Sequence, residues 1–174
     1  MELDELWTRI EVAHADASGL GPLRPGADAS DIRWAEQSIG VTFPAALRAS
    51  LLRHDGSEPG GWPGGQLLPV ARIVEEHRSL RRFRELQRGH GLTVLAHPRD
   101  LVGARLWPGG WIPLVTDGEG RYEVVDTVPG PSGRVGQVIT VKGTAVGDRV
   151  LPDAPAYLQR VLDDLLRSAG FGRL

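Results

Sequence analysis

The chain contains no cysteine, which excludes disulfides, thiolate-held metals and a cysteine nucleophile together. Nothing in it therefore calls for an oxidising compartment. Lysine is almost as scarce: of 20 basic residues only Lys142 is a lysine, and the rest are arginines. With so many alanines and glycines, that imbalance reads as the coding bias of a GC-rich bacterial genome. Long apolar runs are missing too, and no stretch approaches the ~20 residues that cross a bilayer. The opening run MELDELWTRIEVAHADAS is acidic and mixed, without a positive n-region and apolar core, so no secretory signal is expected. The expected location is cytoplasmic, with no membrane contact. A net charge of −2 gives no global pull toward nucleic acid.

What is present is ordinary globular material, with 41% hydrophobic and 24% charged residues. At 174 residues one domain spanning 1–174 is expected, large enough to hide ~70% of its unfolded surface. Leu3, Leu6, Trp7, Ile10 and Ala13 recur at helical spacing through 3–17. After a Gly- and Pro-rich break, Ser30 or Asp31 is placed to N-cap a second helix that carries Ile32, Ala35, Glu36 and Ile39 and stops at Gly40. Phe43-Pro44 opens a third helix, with Leu47, Leu51 and Leu52 on its apolar side and His54-Asp55-Gly56 at its end. Residues 57–66 read as a loop and 67–70 as a short edge strand. A long helix over 71–88 follows, its inward stripe made of Val70, Ile73, Val74, His77 and Leu80.

The stretch 89–110 is irregular. From Trp111 the period falls to two, predicting strands at 111–116, 121–126 and 137–142, with a hairpin turn at 117–120. A closing helix over about 153–169 carries Tyr157, Leu158, Val161, Leu162, Leu165 and Leu166. Helices, then a small antiparallel sheet, then a last helix make the class α+β.

The search for chemistry finds little. His14, His54, His77, His90 and His97 include no pair at the i, i+4 spacing that aims two imidazoles at one metal. Gly130, Gly133 and Gly136 precede a strand where a phosphate or dinucleotide loop would open a helix, so turn geometry accounts for them. Asp117 and Glu119 are too few oxygens for a calcium loop and fit a hairpin tip. No serine stands in a G-x-S-x-G elbow. No catalytic residue, metal or cofactor is expected. Pairs of carboxylates brought together only by folding stay open.

Two features call for a second reading. From Arg72 to Arg88 six arginines stand against three glutamates, a net of +3. A solvated helix face explains this, and an acidic protein partner is the functional alternative. The other feature is tryptophan. Trp7 and Trp34 fall on helices, whereas Trp62, Trp107 and Trp111 stand beside Pro or Gly in loop-like sequence. Trp111 is expected to close the core and Trp62 to be the exposed one, a candidate contact anchor.

The run RPGADASDIRWAEQSIGVTFPAALRASLLRHDG (24–56) resembles the opening signature of the SUKH superfamily. The matching elements are Pro25-Gly26-Ala27, Ile32 and Glu36, Gly40-Val41-Thr42-Phe43-Pro44 and His54-Asp55-Gly56. A second block is similar to the superfamily's strand–turn–strand segment: Trp111-Ile112-Pro113, Asp117-Gly118-Glu119-Gly120, Asp126, Pro129-Gly130, Gly133 and Gly136-Gln137-Val138. The resemblance covers roughly 20–166, and the 89–110 stretch departs from it. It implies an α+β fold with a central antiparallel sheet and no catalytic set. Members are mostly bacterial immunity proteins that neutralise cognate toxins, often nucleases or deaminases, and others resemble a fungal regulator of cell-wall synthesis. The resemblance therefore implies a toxin-neutralising immunity protein, with a regulatory or scaffold interaction domain as the alternative. The contact candidates are Asp55, Trp62, Arg81, Arg82, Asp117 and Glu119, and no direct contact with nucleic acid is expected.

Overall fold

The helices come first, and their apolar spacing sets where they lie. A computed structural model describes residues 2–87, 95–96 and 100–169. Helix α1 (Leu3–Asp16) buries Leu6, Trp7, Ile10, Ala13 and His14 along one stripe. Asp4 and Glu5 in its first turn complement the positive end of the helix dipole. Helix α2 (Ala29–Ile39) starts earlier than the expected caps, with Asp28 extended at the N-cap position. It ends as the sequence predicts, on Gly40 in the left-handed region at φ +70. Helix α3 (Ala45–Arg53) follows Pro44. One carboxylate joins the last two helices: Oε1 of Glu36 accepts from the Phe43 N–H at 2.7 Å and from Nη2 of Arg48 at 2.6 Å.

The edge strand expected over 67–70 is shorter and sits earlier, as β1 (Gln66–Leu67). Helix α4 (Val70–Leu86) then begins at once, because Oδ1 of Asp55 accepts from the Val70 N–H at 2.7 Å. Its expected last residue, Arg88, lies outside the described residues, as do His90 and His97. Strands β3 (Trp111–Thr116), β4 (Arg121–Asp126) and β5 (Gln137–Lys142) form where the alternation predicts them. Two strands were not expected: β2 (Leu95–Ala96) and β6 (Ala145–Leu151). β6 pairs with β5 through a two-residue turn, Lys142 opposite Ala145, and Gly143 supplies the positive φ of +60 that such a turn needs. Helix α5 (Ala154–Ser168) closes the chain, N-capped by Asp153, whose Oδ1 accepts from the Ala156 N–H at 2.8 Å.

The six strands lie in the order β1-β3-β4-β5-β6-β2. All neighbours are antiparallel except β2 and β6, so the class is α+β. Successive residues face opposite ways: Val125 and Val138 join one apolar cluster, Val124 and Ile139 the other. The first cluster lies under α1, α3 and α5, where α1 runs along α5, while α2 packs on α4. The second is covered by Val102, Leu106 and Trp107, so within the stretch expected to be irregular, 95–96 is strand β2 and 100–110 is a plug over the sheet. Trp107 meets Trp111 and Tyr122 edge-on, at 5.4 and 5.2 Å between ring centres.

Trp111 closes the core as expected. Trp62 does not do what its loop-like surroundings suggested. It is 1% exposed, tilted against Trp7 with 5.7 Å between ring centres, and its Nε1 donates to Oη of Tyr157 at 2.9 Å. A hydrogen-bond partner 95 residues away holds it in the core, so it is no surface anchor.

Candidate interaction surface

Most of the charge that could do chemistry is engaged inside the fold. Glu11 on α1 takes both Nε and Nη2 of Arg53, at 2.6 and 2.9 Å, and faces Nε2 of His54 at 2.7 Å. The Arg53 guanidinium holds its carboxyl down to about 2. On the helix-covered face of the sheet, Glu123 is buried and accepts from Arg121 (2.6 Å), Thr140 (2.8 Å) and Arg160 (3.3 Å). The Arg160 guanidinium lies 5.0 Å from the Tyr157 ring centre. On β4, Asp126 accepts from the Val128 N–H and from Nε2 of Gln137, both at 2.9 Å, and burial pushes its carboxyl up. These groups fasten elements to one another. Among the described residues no three His, Asp or Glu side chains come together as a metal site would need.

The six contact candidates do not converge. Asp55 is committed to the first turn of α4, and Trp62 is core. Asp117 and Glu119 stand exposed at the β3–β4 hairpin tip, where Oδ1 of Asp117 accepts from the Glu119 and Arg121 N–H groups at 2.7 and 3.0 Å. Those bonds lower the Asp117 carboxyl and close the turn. Arg81 and Arg82 are different: they come to one surface, on α4.

Along α4 the basic run divides. At its start Arg72 is paired, with Glu75 at 2.9 Å and Glu76 at 2.5 Å. Further on, Nη1 of Arg84 donates to the Trp107 carbonyl at 3.4 Å. Between these, Arg78, Arg81 and Arg82 have no carboxylate within ion-pair distance among the described residues. The three line a groove of about 400 Å³ between α4 and the end of α2, together with Ser38, Ile39 and Glu85. At its edge His77 is buried, and its Nε2 donates to the Gly109 carbonyl at 2.9 Å. Burial lowers the His77 imidazole, and the positive charges of Arg81 and Arg78 lower it further. Exposed apolar side chains stand close in the helical pattern. Leu86 is one turn beyond Arg82 on α4, and Trp34 one turn before Ser38 on α2.

Sequence reasoning found the basic run but not its division, because Glu75 and Glu76 pair with Arg72 and the Trp107 carbonyl engages Arg84, while Arg78, Arg81 and Arg82 have no such partner among the described residues. Ser38 gave no signal and Ile39 only that of a helix's apolar side; the packing of α2 on α4 brings them to the site.

Comparison with known proteins gives the groove a context. Residues 26–165 match the profile of the SMI1 / KNR4 family (SUKH-1). A cell wall biosynthesis/cell cycle regulator smi1 of Schizosaccharomyces pombe is 34% identical over 131 residues, covering 66% of this chain and 26% of that protein. The cell wall assembly regulator SMI1 of Saccharomyces cerevisiae is 26% identical over 148 residues, covering 64% of this chain and 29% of its own length. A glucan synthesis regulatory protein of Neurospora crassa is 28% identical over 155 residues, with 67% of this chain and 29% of that protein covered. The chain thus matches only 26–29% of the length of these three relatives.

Proposed function

The chain belongs to the SMI1/KNR4 (SUKH-1) family, and from that membership we propose that it is a regulatory protein-interaction domain, acting by holding another protein and turning over no substrate. The observation that carries this reading is the family match over 26–165, together with the similarity to proteins named as regulators. The internal use of Glu11, Glu123 and Asp126 supports it, since each acidic group stabilises a junction between elements. The proposal includes a single domain over the whole chain and a cytoplasmic location. No helix among the described residues is long and apolar enough to cross a membrane.

The SUKH resemblance also suggests a toxin-neutralising immunity protein, with a nuclease or deaminase as its target. The relatives' names favour regulation over that reading, since all three are called regulators of the cell wall, the cell cycle or glucan synthesis. What is proposed to be shared with them is an interaction module within the 26–29% of their length that the chain covers. Their names make cell-wall assembly the first process in which to seek the partner.

The test is affinity capture of the tagged chain from its native host, followed by identification of what is retained. A stoichiometric partner from a housekeeping or cell-wall assembly supports the regulatory domain. A toxin retained stoichiometrically, and silenced on co-expression, replaces it with immunity. Capture of nothing in stoichiometric amount sinks both.

A further inference from the structure

We propose that the groove between α2 and α4 is a docking site for an acidic protein segment, held by Arg78, Arg81 and Arg82. The inference rests on the interaction-domain reading above and names the chemistry of the partner. Its starting point is an imbalance. In a chain of net charge −2, three guanidinium groups come together on one wall of a single groove with no acidic partner among the described residues. Elsewhere the arginines of the fold's junctions are matched: Arg48 to Glu36, Arg53 to Glu11, Arg121 and Arg160 to Glu123. Glu85, the one carboxylate in the groove's lining, forms no ion pair with any of the three.

Repulsion among like charges so placed is relieved when a complementary charge arrives, which steers association as well as strengthening it. Position alone gives these arginines a smaller role. Cations near a helix C-terminus complement its dipole, an effect confined to the last turn. Arg84 occupies that turn, whereas Arg78 stands two turns earlier. The His77 imidazole at the groove's edge is lowered first by its burial and then by the positive charges of Arg81 and Arg78.

The groove's flanks refine the ligand. Leu86 and Trp34 are large, apolar and exposed, at 71% and 47%. Guanidinium groups beside exposed apolar side chains match a segment of carboxylates interrupted by a bulky apolar residue. Nucleic acid fits less well: only three phosphate-ready cations line the groove, and overall the chain is acidic.

The test uses fluorescence anisotropy with a fluorescein-labelled octapeptide of glutamates carrying one central leucine, on the full chain at low salt. The wild type is expected to bind saturably and to weaken as salt is raised. The Arg78→Glu/Arg82→Glu variant is expected to lose about tenfold or more in affinity. Arg134→Glu/Arg149→Glu, which makes the same change of charge at two exposed arginines away from the groove, is expected to lose at most about twofold. Thermal unfolding checks that the variants fold, and Arg78→Gln/Arg82→Gln should give an intermediate loss. Three results overturn the inference: no saturable binding by the wild type, equal weakening by Arg134→Glu/Arg149→Glu, or equal affinity for an eight-nucleotide oligothymidylate. Host capture separates this from the parent reading. A partner retained equally by the wild type and by Arg78→Glu/Arg82→Glu leaves the interaction domain standing and removes the groove.

Discussion

Nε1 of Trp62 donates to Oη of Tyr157 at 2.9 Å, across 95 residues of sequence and in the middle of the larger apolar cluster. The bond ties the Gly- and Pro-rich loop after α3 to the closing helix. Burial raises the Tyr157 hydroxyl well above the usual phenol range, so it stays protonated at any ordinary pH. A loop that reads as surface in the sequence is therefore part of the core.

Tyr157→Phe leaves the buried indole N–H without a partner and is expected to cost about 1–3 kcal/mol. Trp62→Phe leaves a gap and should cost about as much or more. Because the two share one bond, the double variant should lose less than the sum, by about 1 kcal/mol in a cycle of urea denaturations. Strict additivity would mean that the bond contributes nothing.

The pair Asp126 and Gln137 does the same for the other face. Nε2 of Gln137 donates to Asp126 and to the Leu101 carbonyl, and its Oε1 accepts from the Arg134 N–H. Gln137→Leu is expected to destabilise by about 2–3 kcal/mol, through the unsatisfied groups it leaves. Hydrogen exchange offers a sharper check. The Gly130 and Ser132 amides, which donate to the Leu101 and Asp100 carbonyls, should lose protection before the amides of β4 and β5.

Glu11 gives a pH dependence. Its folded pKa, about 2, lies below the ordinary 4.5, so its contribution is complete above pH 4.5 and is lost as pH falls through about 2. Partial exposure screens the pair, which limits the contribution to about 1 kcal/mol. Glu11→Gln should thus be less stable than the wild type at pH 7, with the difference shrinking through pH 2 and vanishing below it. A difference that persists at the acid end would point to packing and not to charge.

Gly56 and Gly40 share a left-handed backbone, φ +72 and +70, but not a neighbourhood. A Cβ on Gly56 would fall 2.5 Å from the Leu67 carbonyl oxygen, while one on Gly40 meets nothing within 4 Å. Gly40→Ala is expected to cost ~1 kcal/mol, the backbone term alone. Gly56→Ala should cost about 3 kcal/mol or more, since backbone must move. Equal melting temperatures in the two variants would contradict this.

The sequence by itself determined the five helices, the three central strands and the α+β class, because each depends on spacing within a dozen residues. Leu6, Trp7 and Ile10 make one stripe of α1 whatever follows them, and the alternation in β4 and β5 assigns Val124 and Val125 to opposite faces. It also located the arginine run. Tertiary structure decided what those residues meet. Strand β6 was missed although Gly143 marks its turn, since Ala145–Leu151 carries Gly147 and two charged residues and owes its pairing to β5. Trp62 is buried by a tyrosine 95 positions on, and the 100–110 plug by a sheet face that exists only once β3 to β6 are paired. Arg72 and Arg78 lie on one helix and look alike in the sequence; two glutamates neutralise the first, and the packing of α2 leaves the second open on a groove. Local periodicity is written into the chain, while burial and charge compensation depend on partners that only folding brings within a few ångströms.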